Sequence, residues 1–124
     1  MSAHPFRRAV LISLLALLSL GGCGGGAKHP TGATIGVSLL TRTHPFYQDL
    51  EQGLRDAAAE RGFTLIVQAG EFDVARQKDQ LAEFLVRKVD AIVVCPCDSR
   101  SIGTAIAAAN QAGIPVFTAD IAVL

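Results

Sequence analysis

Four short runs of apolar residues recur along the chain after residue 33. The runs are near-continuous rather than alternating, which is typical of parallel strands that are covered on both faces. They lie at Thr34–Leu40, Phe63–Gln68, Ala91–Cys95 and Pro115–Thr118. The pattern predicts a parallel sheet whose strands are joined by helices packed on its two faces.

The stretches between these runs have helical periodicity and recognisable ends. Start signals are Pro45, Asp73 and Asp98-Ser99, and stop signals are Gly62 and Gly113. The predicted inward stripes are Phe46, Leu50, Leu54, Ala57 and Ala58; Val74, Leu81, Phe84 and Leu85; and Ile102, Ala105, Ile106 and Ala109. The order βαβαβαβ predicts an α/β fold, a three-layer open parallel sheet built from βα repeats.

The first 22 residues have the pattern of an export signal. Arg7-Arg8 precedes an apolar run, Ala9–Leu20, which is shorter than the roughly 20 residues that a membrane span needs. Small residues lead to Cys23, so we predict a lipoprotein signal peptide over 1–22, a lipidated Cys23 with a flexible tether over 23–33, and a domain over 34–124. An ordinary secretory signal with Cys23 as a bystander is the alternative, and a membrane span a weaker one.

Charge and motifs exclude several classes of function. Removal of Arg7 and Arg8 with the signal leaves nine basic and eleven acidic residues, so there is no basic excess for nucleic acid. The sequence has no Gly-x-Ser-x-Gly motif, no phosphate-binding loop and no His/Asp/Ser set, so we expect no enzyme and no cofactor. A receiver domain is excluded because it needs acidic residues at the positions of Leu40 and Cys95. A transcriptional repressor of the lactose type is excluded because it would begin with a helix-turn-helix, where this chain has the pattern of an export signal.

Several segments, in order and spacing, resemble one family. They are Ile35–Ser38, His44–Tyr47 (HPFY), Gly53, Ala57, Gly62-Phe63, Val89–Val94 with Pro96 and Asp98, Ala108–Val116 (AANQAGIPV) and Asp120. Together they resemble the amino-terminal lobe of type I periplasmic binding proteins, in the ribose- and galactose-binding branch that serves sugar ABC transporters. The resemblance implies a two-lobe clamp with the sugar in the cleft, of which this chain would hold part of one lobe, truncated after the fourth strand.

Ligand-binding residues are expected at the carboxyl ends of the strands, where open α/β sheets bind ligands. Aromatic faces stack on sugar rings, and carboxylates accept from paired hydroxyls. We therefore nominate Phe46 and Tyr47 for stacking, Asp120 as hydroxyl acceptor and His44 as donor. Each of three nominations has an alternative. Phe46 could pack in the core, Asp120 could cap a following helix, and His44 could form a hydrogen bond with the backbone near the start of the first helix. We do not expect His44 to bind a metal ion, because no second His, Cys or carboxylate lies beside it at the spacing of metal ligands.

Three positions depart from what the resemblance implies. Leu40 replaces a common hydroxyl residue, Cys95 replaces an asparagine that commonly meets the sugar, and Ile121 replaces an arginine. We still include Cys95 among the ligand-binding candidates. These changes indicate a less polar or differently oriented sugar, or another solute.

The Cys95-Pro96-Cys97 motif admits two interpretations. A redox or metal pair would lack the further ligands that zinc requires, and a disulfide at this spacing would be strained. A buried thiol at a strand end followed by a turn residue is the simpler interpretation.

The leading hypothesis is a substrate-binding lipoprotein of a monosaccharide-type ABC importer, in the periplasm or on the cell surface. Its partners would be a small sugar, a membrane permease and the membrane itself through the lipid. The alternatives are a sensory or chemotaxis receptor, and a non-functional truncated fragment that would bind sugar poorly and aggregate.

Overall fold

The computed structural model describes residues 32–124 of the 124-residue chain, so the signal, Cys23 and most of the tether lie outside the described residues. Four strands and three helices alternate. They are β1 (Thr34–Leu39), α1 (Pro45–Arg61), β2 (Thr64–Ala69), α2 (Val74–Val86), β3 (Ala91–Val94), α3 (Gly103–Gln111) and β4 (Val116–Thr118). The predicted α/β order is confirmed, with strand ends within a residue or so of the predicted ones.

The four strands form one parallel sheet in the order β2-β1-β3-β4. β1 pairs with β2 from Thr34↔Thr64 to Leu39↔Ala69, and with β3 from Ile35↔Ala91 to Ser38↔Val94. β4 pairs with β3 from Ile92↔Val116 to Val94↔Thr118. The carboxyl ends of all four strands therefore meet at one edge of the sheet.

Each face of the sheet has its own hydrophobic core. Val37, Leu39, Tyr47, Ala69 and Cys95 are buried together on the α1 face, with Leu50, Leu54 and Leu65 packed against them. The α2 and α3 face buries Leu81, Phe84, Val89, Ile92, Val94, Ile102, Ala109 and Ile114. Alternate residues of one strand thus serve opposite cores, which explains why the strands are apolar without a break.

Local chemistry determines the helix ends. Gly62, at φ +71°, ends α1 in a left-handed conformation that a side chain would disfavour. Asp73 Oδ1 accepts from the Arg76 amide (3.0 Å) and begins α2.

The predicted start of α3 after Asp98-Ser99 is wrong by a few residues. Asp98 Oδ1 accepts from the amides of Arg100 (3.2 Å) and Ser101 (2.6 Å), which closes a turn over 99–102. The helix itself begins at Gly103. Aspartate side chains stabilise such turns as readily as they cap helices, so the sequence signal did not distinguish the two.

Three buried polar side chains form a network between the sheet and α2. Ser38 Oγ donates to Gln80 Oε1 (2.8 Å), and Gln77 Nε2 reaches Ser38 Oγ (3.2 Å) and the Cys95 carbonyl (3.0 Å). Gln77 Oε1 accepts from the Cys97 amide (2.8 Å), and Gln80 Nε2 donates to the Ala69 carbonyl (2.8 Å). The network therefore anchors the ends of β2 and β3, where the backbone leaves the sheet.

One sheet face remains open beside β4. Phe117 pairs in register with Val93 on the α1 face, yet its side chain is 59% exposed. Helix α1 packs against β2, at the other side of the sheet. Within residues 32–124, no helix is both long enough and apolar enough to cross a membrane.

Candidate ligand-binding site

A cavity of about 330 Å³ opens at the carboxyl edge of the sheet. It is lined by Leu40, Thr41, His44, Phe46, Tyr47, Phe72 and Asp120. Four of the five residues predicted for ligand binding thus meet in one place, although they come from opposite ends of the described chain. The volume lies at the lower end of the range typical of small-molecule sites.

Phe46 supplies an accessible aromatic surface. It lies in the first turn of α1, and its side chain is 48% exposed, so its predicted place on the inward stripe of the helix is wrong. The reason is that a helix start at the sheet edge extends beyond the core that the rest of α1 covers. Its ring meets that of Tyr47 edge-to-face, with centroids 5.0 Å apart and an interplanar angle of 84°.

Tyr47 links the core to the cavity. Its side chain is only 6% exposed, because the ring packs with Val37, Leu39 and Cys95. The phenolic hydroxyl donates to Asp120 Oδ2 at 2.7 Å. Burial of the phenol, together with its hydrogen bond to Asp120 and the charge of that carboxylate, raises the pKa of Tyr47 above its usual value.

Asp120 follows β4 in a loop that is tied to the sheet. The Ala119 amide donates to the Val94 carbonyl at 3.0 Å, and the Ile121 amide donates to the Ala119 carbonyl at 2.9 Å. Asp120 between them has φ +70°. Its Oδ2 accepts a hydrogen bond from the Tyr47 hydroxyl.

His44 caps the first helix through a hydrogen bond with the backbone, and it also lines the cavity. It is the N-cap of α1, and its Nδ1 accepts from the Phe46 amide at 3.2 Å. A neutral imidazole that accepts at Nδ1 carries its proton on Nε2. Of the two ring nitrogens considered from sequence, Nε2 is therefore the donor left for a ligand.

Cys95 does not line the cavity in this structure. It is fully buried in the α1-side core behind Tyr47, and burial, with the charge of Asp120 as a smaller cause, raises the pKa of its thiol to about 11. The expectation that it meets the ligand is therefore wrong here. Cys95 directly follows β3, and its side chain packs in the α1-side core instead of facing the cavity.

The motif Cys95-Pro96-Cys97 holds two free thiols. Burial raises the pKa of the Cys97 thiol above its usual value. Among residues 32–124, no three His, Cys, Asp or Glu side chains are grouped to hold a metal ion.

Thr41 and Phe72 line the cavity, although neither was nominated from sequence. Phe72 is 67% exposed and lines the cavity from the β2–α2 loop, and neighbouring Glu71 accepts from Thr41 Oγ1 at 2.6 Å. Both Glu71 and Phe72 have positive φ, and the Phe72 amide donates to the Leu40 carbonyl at 3.2 Å. An aromatic residue in the loop after the carboxyl end of β2, outside any apolar stripe, was the signal that could have identified Phe72.

A larger groove of about 770 Å³ runs along β2 and α2. Its lining includes Arg42, Gln68, Glu71, Asp73, Arg76, Asp79 and Glu83. Much of this polarity is internally paired, since Arg42 bonds the Val67 carbonyl (2.8 Å) and Gln68 bonds Glu83 (2.8 Å). The smaller cavity combines aromatic surface with an accessible carboxylate, and we therefore regard it as the candidate site.

The parallel sheet, its two helix layers and a site at the carboxyl ends of its strands define a ligand-binding α/β lobe. Residues 35–122 match the profile of the periplasmic binding protein domain, and the chain belongs to that family.

Comparison with known proteins gives the same result. The ribose import binding protein of Bacillus subtilis is 36% identical over 87 residues, which are 70% of this chain and 28% of that protein. The solute-binding protein of Actinobacillus succinogenes with bound D-allose matches with a TM-score of 0.72 and 28% identity, over 74% of this chain and 33% of that one. The solute-binding protein of Bacillus halodurans with bound myo-inositol matches with a TM-score of 0.67 and 30% identity, over 75% and 33%. The chain thus spans about a third or less of each.

Proposed function

We propose that this chain is part of the substrate-binding lipoprotein of a monosaccharide-type ABC import system and forms one wall of its sugar site. The single observation that carries the proposal is the cavity in which Phe46, Phe72 and Asp120 meet at the carboxyl edge of the sheet. The family and the ligands named for its relatives support it.

The chemistry of the cavity suits a polyol. The exposed rings of Phe46 and Phe72 offer faces to the C–H side of a sugar, and the Asp120 carboxylate accepts from hydroxyl groups. Nε2 of His44 adds a donor. This set binds and orients a neutral, hydroxyl-rich molecule, and the proposed function is binding rather than catalysis.

The remaining parts of the proposal concern the whole protein. The chain spans 28% of the Bacillus subtilis relative, so we expect further residues to supply the opposite wall of the cleft. Closure on the sugar would present a surface to a membrane permease. Lipidation of Cys23 would keep the protein at the outer side of the membrane, with residues 24–33 as the tether.

The test is a ligand panel on the protein isolated from its native membranes. Ribose, allose, myo-inositol and xylitol are titrated by calorimetry, and at least one is expected to bind in the micromolar range or tighter. Asp120→Asn should weaken that binding by roughly tenfold or more, because a hydrogen bond to a charged acceptor contributes about 1.5–3 kcal/mol. Asp79→Asn, a carboxylate in the larger groove, is the matched control and should bind like the parent.

Two results would contradict the proposal. One is the absence of binding across the panel and across a wider set of neutral sugars. The other is an equal loss of affinity in the Asp120 and Asp79 variants, which would move the site to the larger groove.

A further inference from the structure

The backbone at Asp120 has an unfavourable conformation. The hydrogen bond from the Ile121 amide to the Ala119 carbonyl (2.9 Å) closes a three-residue turn with Asp120 at its centre, and the φ of Asp120 is +70°. A turn of this hand is rare and strained for a residue with a side chain. Such strain persists where surrounding contacts enforce it, and it is found most often at functional positions.

The contact that holds the side chain of Asp120 comes from Tyr47. Its hydroxyl donates to Oδ2 at 2.7 Å across 73 residues of sequence, from the first turn of α1 to the loop after β4. The phenol ring is itself fixed, because it is 6% exposed and packs within the α1-side core. A rigid donor therefore determines the rotation of the carboxylate.

The partner of this carboxylate is neutral. Among the described residues, the ion pairs lie elsewhere, at Glu51 and Glu83, and no Lys or Arg lines the cavity. A carboxylate has about four acceptor directions on its two oxygens, and Tyr47 takes one of them. Oδ1 and the second lone pair of Oδ2 remain available to accept hydrogen bonds.

We propose that Tyr47 is a positioning residue whose hydroxyl holds the strained Asp120 with its free carboxylate lone pairs toward the cavity, and that this selects ligands carrying a pair of neighbouring hydroxyls. The inference rests on the proposed function. Because the carboxylate is ordered during folding, a ligand does not bear the entropic cost of ordering it on binding. A ligand that donates through one hydroxyl gains less from this arrangement than one that donates through two.

The test uses Tyr47→Phe in the protein isolated from its native membranes, because phenylalanine keeps the ring and removes the hydroxyl. The affinity for the preferred polyol should fall about tenfold, as expected for a lost hydrogen bond to a charged group. The preference for that polyol over its monodeoxy analogues should shrink in parallel, which a general loss of packing would not produce.

Asp120→Asn provides the second arm, because asparagine also tolerates positive φ and so preserves the turn. On this background, Tyr47→Phe should reduce affinity by less than twofold, since the carboxylate that it positions is absent. A crystal structure of the ligand-free Tyr47→Phe protein should show the Asp120 carboxylate rotated from the parent orientation or in more than one orientation.

The outcomes separate the two proposals. If the parent binds a polyol but Tyr47→Phe keeps both affinity and analogue preference, the positioning role is overturned while the sugar site stands. The positioning role is also overturned if Tyr47→Phe lowers the affinity by the same factor in the Asp120→Asn protein as in the parent. If the parent binds no polyol, the proposed function fails, and an unchanged Asp120 carboxylate in the Tyr47→Phe crystal structure would overturn the positioning role as well.

Discussion

Gln77 shows how a residue that cannot touch a ligand determines the shape of the site. Its fully buried amide joins Ser38, the Cys95 carbonyl and the Cys97 amide, and so connects α2 to the end of β3. Buried backbone groups without partners destabilise a fold, and here one side chain satisfies two of them. The β3 end therefore has a defined course next to the cavity.

Replacing Gln77 with leucine should destabilise the domain by about 3 kcal/mol. Leucine has a similar size but leaves the Cys97 amide and the Cys95 carbonyl without this partner, and each unpaired buried group costs about 1–3 kcal/mol. Urea denaturation gives the free energy of unfolding. Gln52→Leu is the matched control, because Gln52 is exposed on α1, and it should change stability by about 0.5 kcal/mol or less. Equal effects of the two substitutions would contradict this role.

At the scale of elements, β1 and α2 pack closely because β1 carries a glycine at their contact. A Cβ atom built on Gly36 would lie 2.6 Å from Cγ of the fully buried Phe84. Gly53, in contrast, lies in α1 with open space around the corresponding position. The two glycines have different physical roles, although both lie in regular secondary structure.

Alanine substitutions at these two glycines should change stability in opposite directions. Gly36→Ala should lower the free energy of unfolding by about 1–3 kcal/mol, because the buried ring of Phe84 must shift. Gly53→Ala should raise it by about 0.5–1 kcal/mol, since alanine favours the helix. Thermal and urea unfolding measure both. A stable Gly36→Ala protein would show that this contact can adjust.

The elements also show which predictions a single sequence supports. The number, order and type of the elements follow from apolar periodicity and from end signals such as Pro45, Gly62 and Asp73. The start of α3 did not follow, because the Asp98 side chain closes a turn instead of capping a helix. The inward place assigned to Phe46 failed because periodicity describes a helix face and not how far the opposing core extends.

At the scale of the whole molecule, the open face beside β4 is the most informative feature. Phe117 is 59% exposed next to Val93, at the margin of the core on the α1 face of the sheet. The chain also spans only 33% of the allose-binding neighbour. Both observations support the proposal that the native protein contains further structure, which would cover this face and complete the cleft.

We expect the intact mass of the protein from its native membrane fraction to exceed the 13.0 kDa of this chain. A two- to threefold larger mass would fit two lobes of typical domain size. The same spectrum should show loss of residues 1–22 and a lipid mass on Cys23, which Cys23→Ser should abolish. A mass near 13 kDa, corrected for signal and lipid, would contradict the two-lobe proposal.

The sequence by itself determined the fold class, because strand periodicity and helix ends are local signals, and its segments carried the resemblance to the family. The carboxyl-end rule also led to four residues that line the candidate cavity. The tertiary structure decided the rest. Cys95 lies inside the core, Phe72 enters the cavity from a loop, and Tyr47 bonds Asp120 across 73 residues. Such contacts depend on how the sheet and helices pack, and no local pattern of residues encodes the distance between two side chains so far apart in the chain.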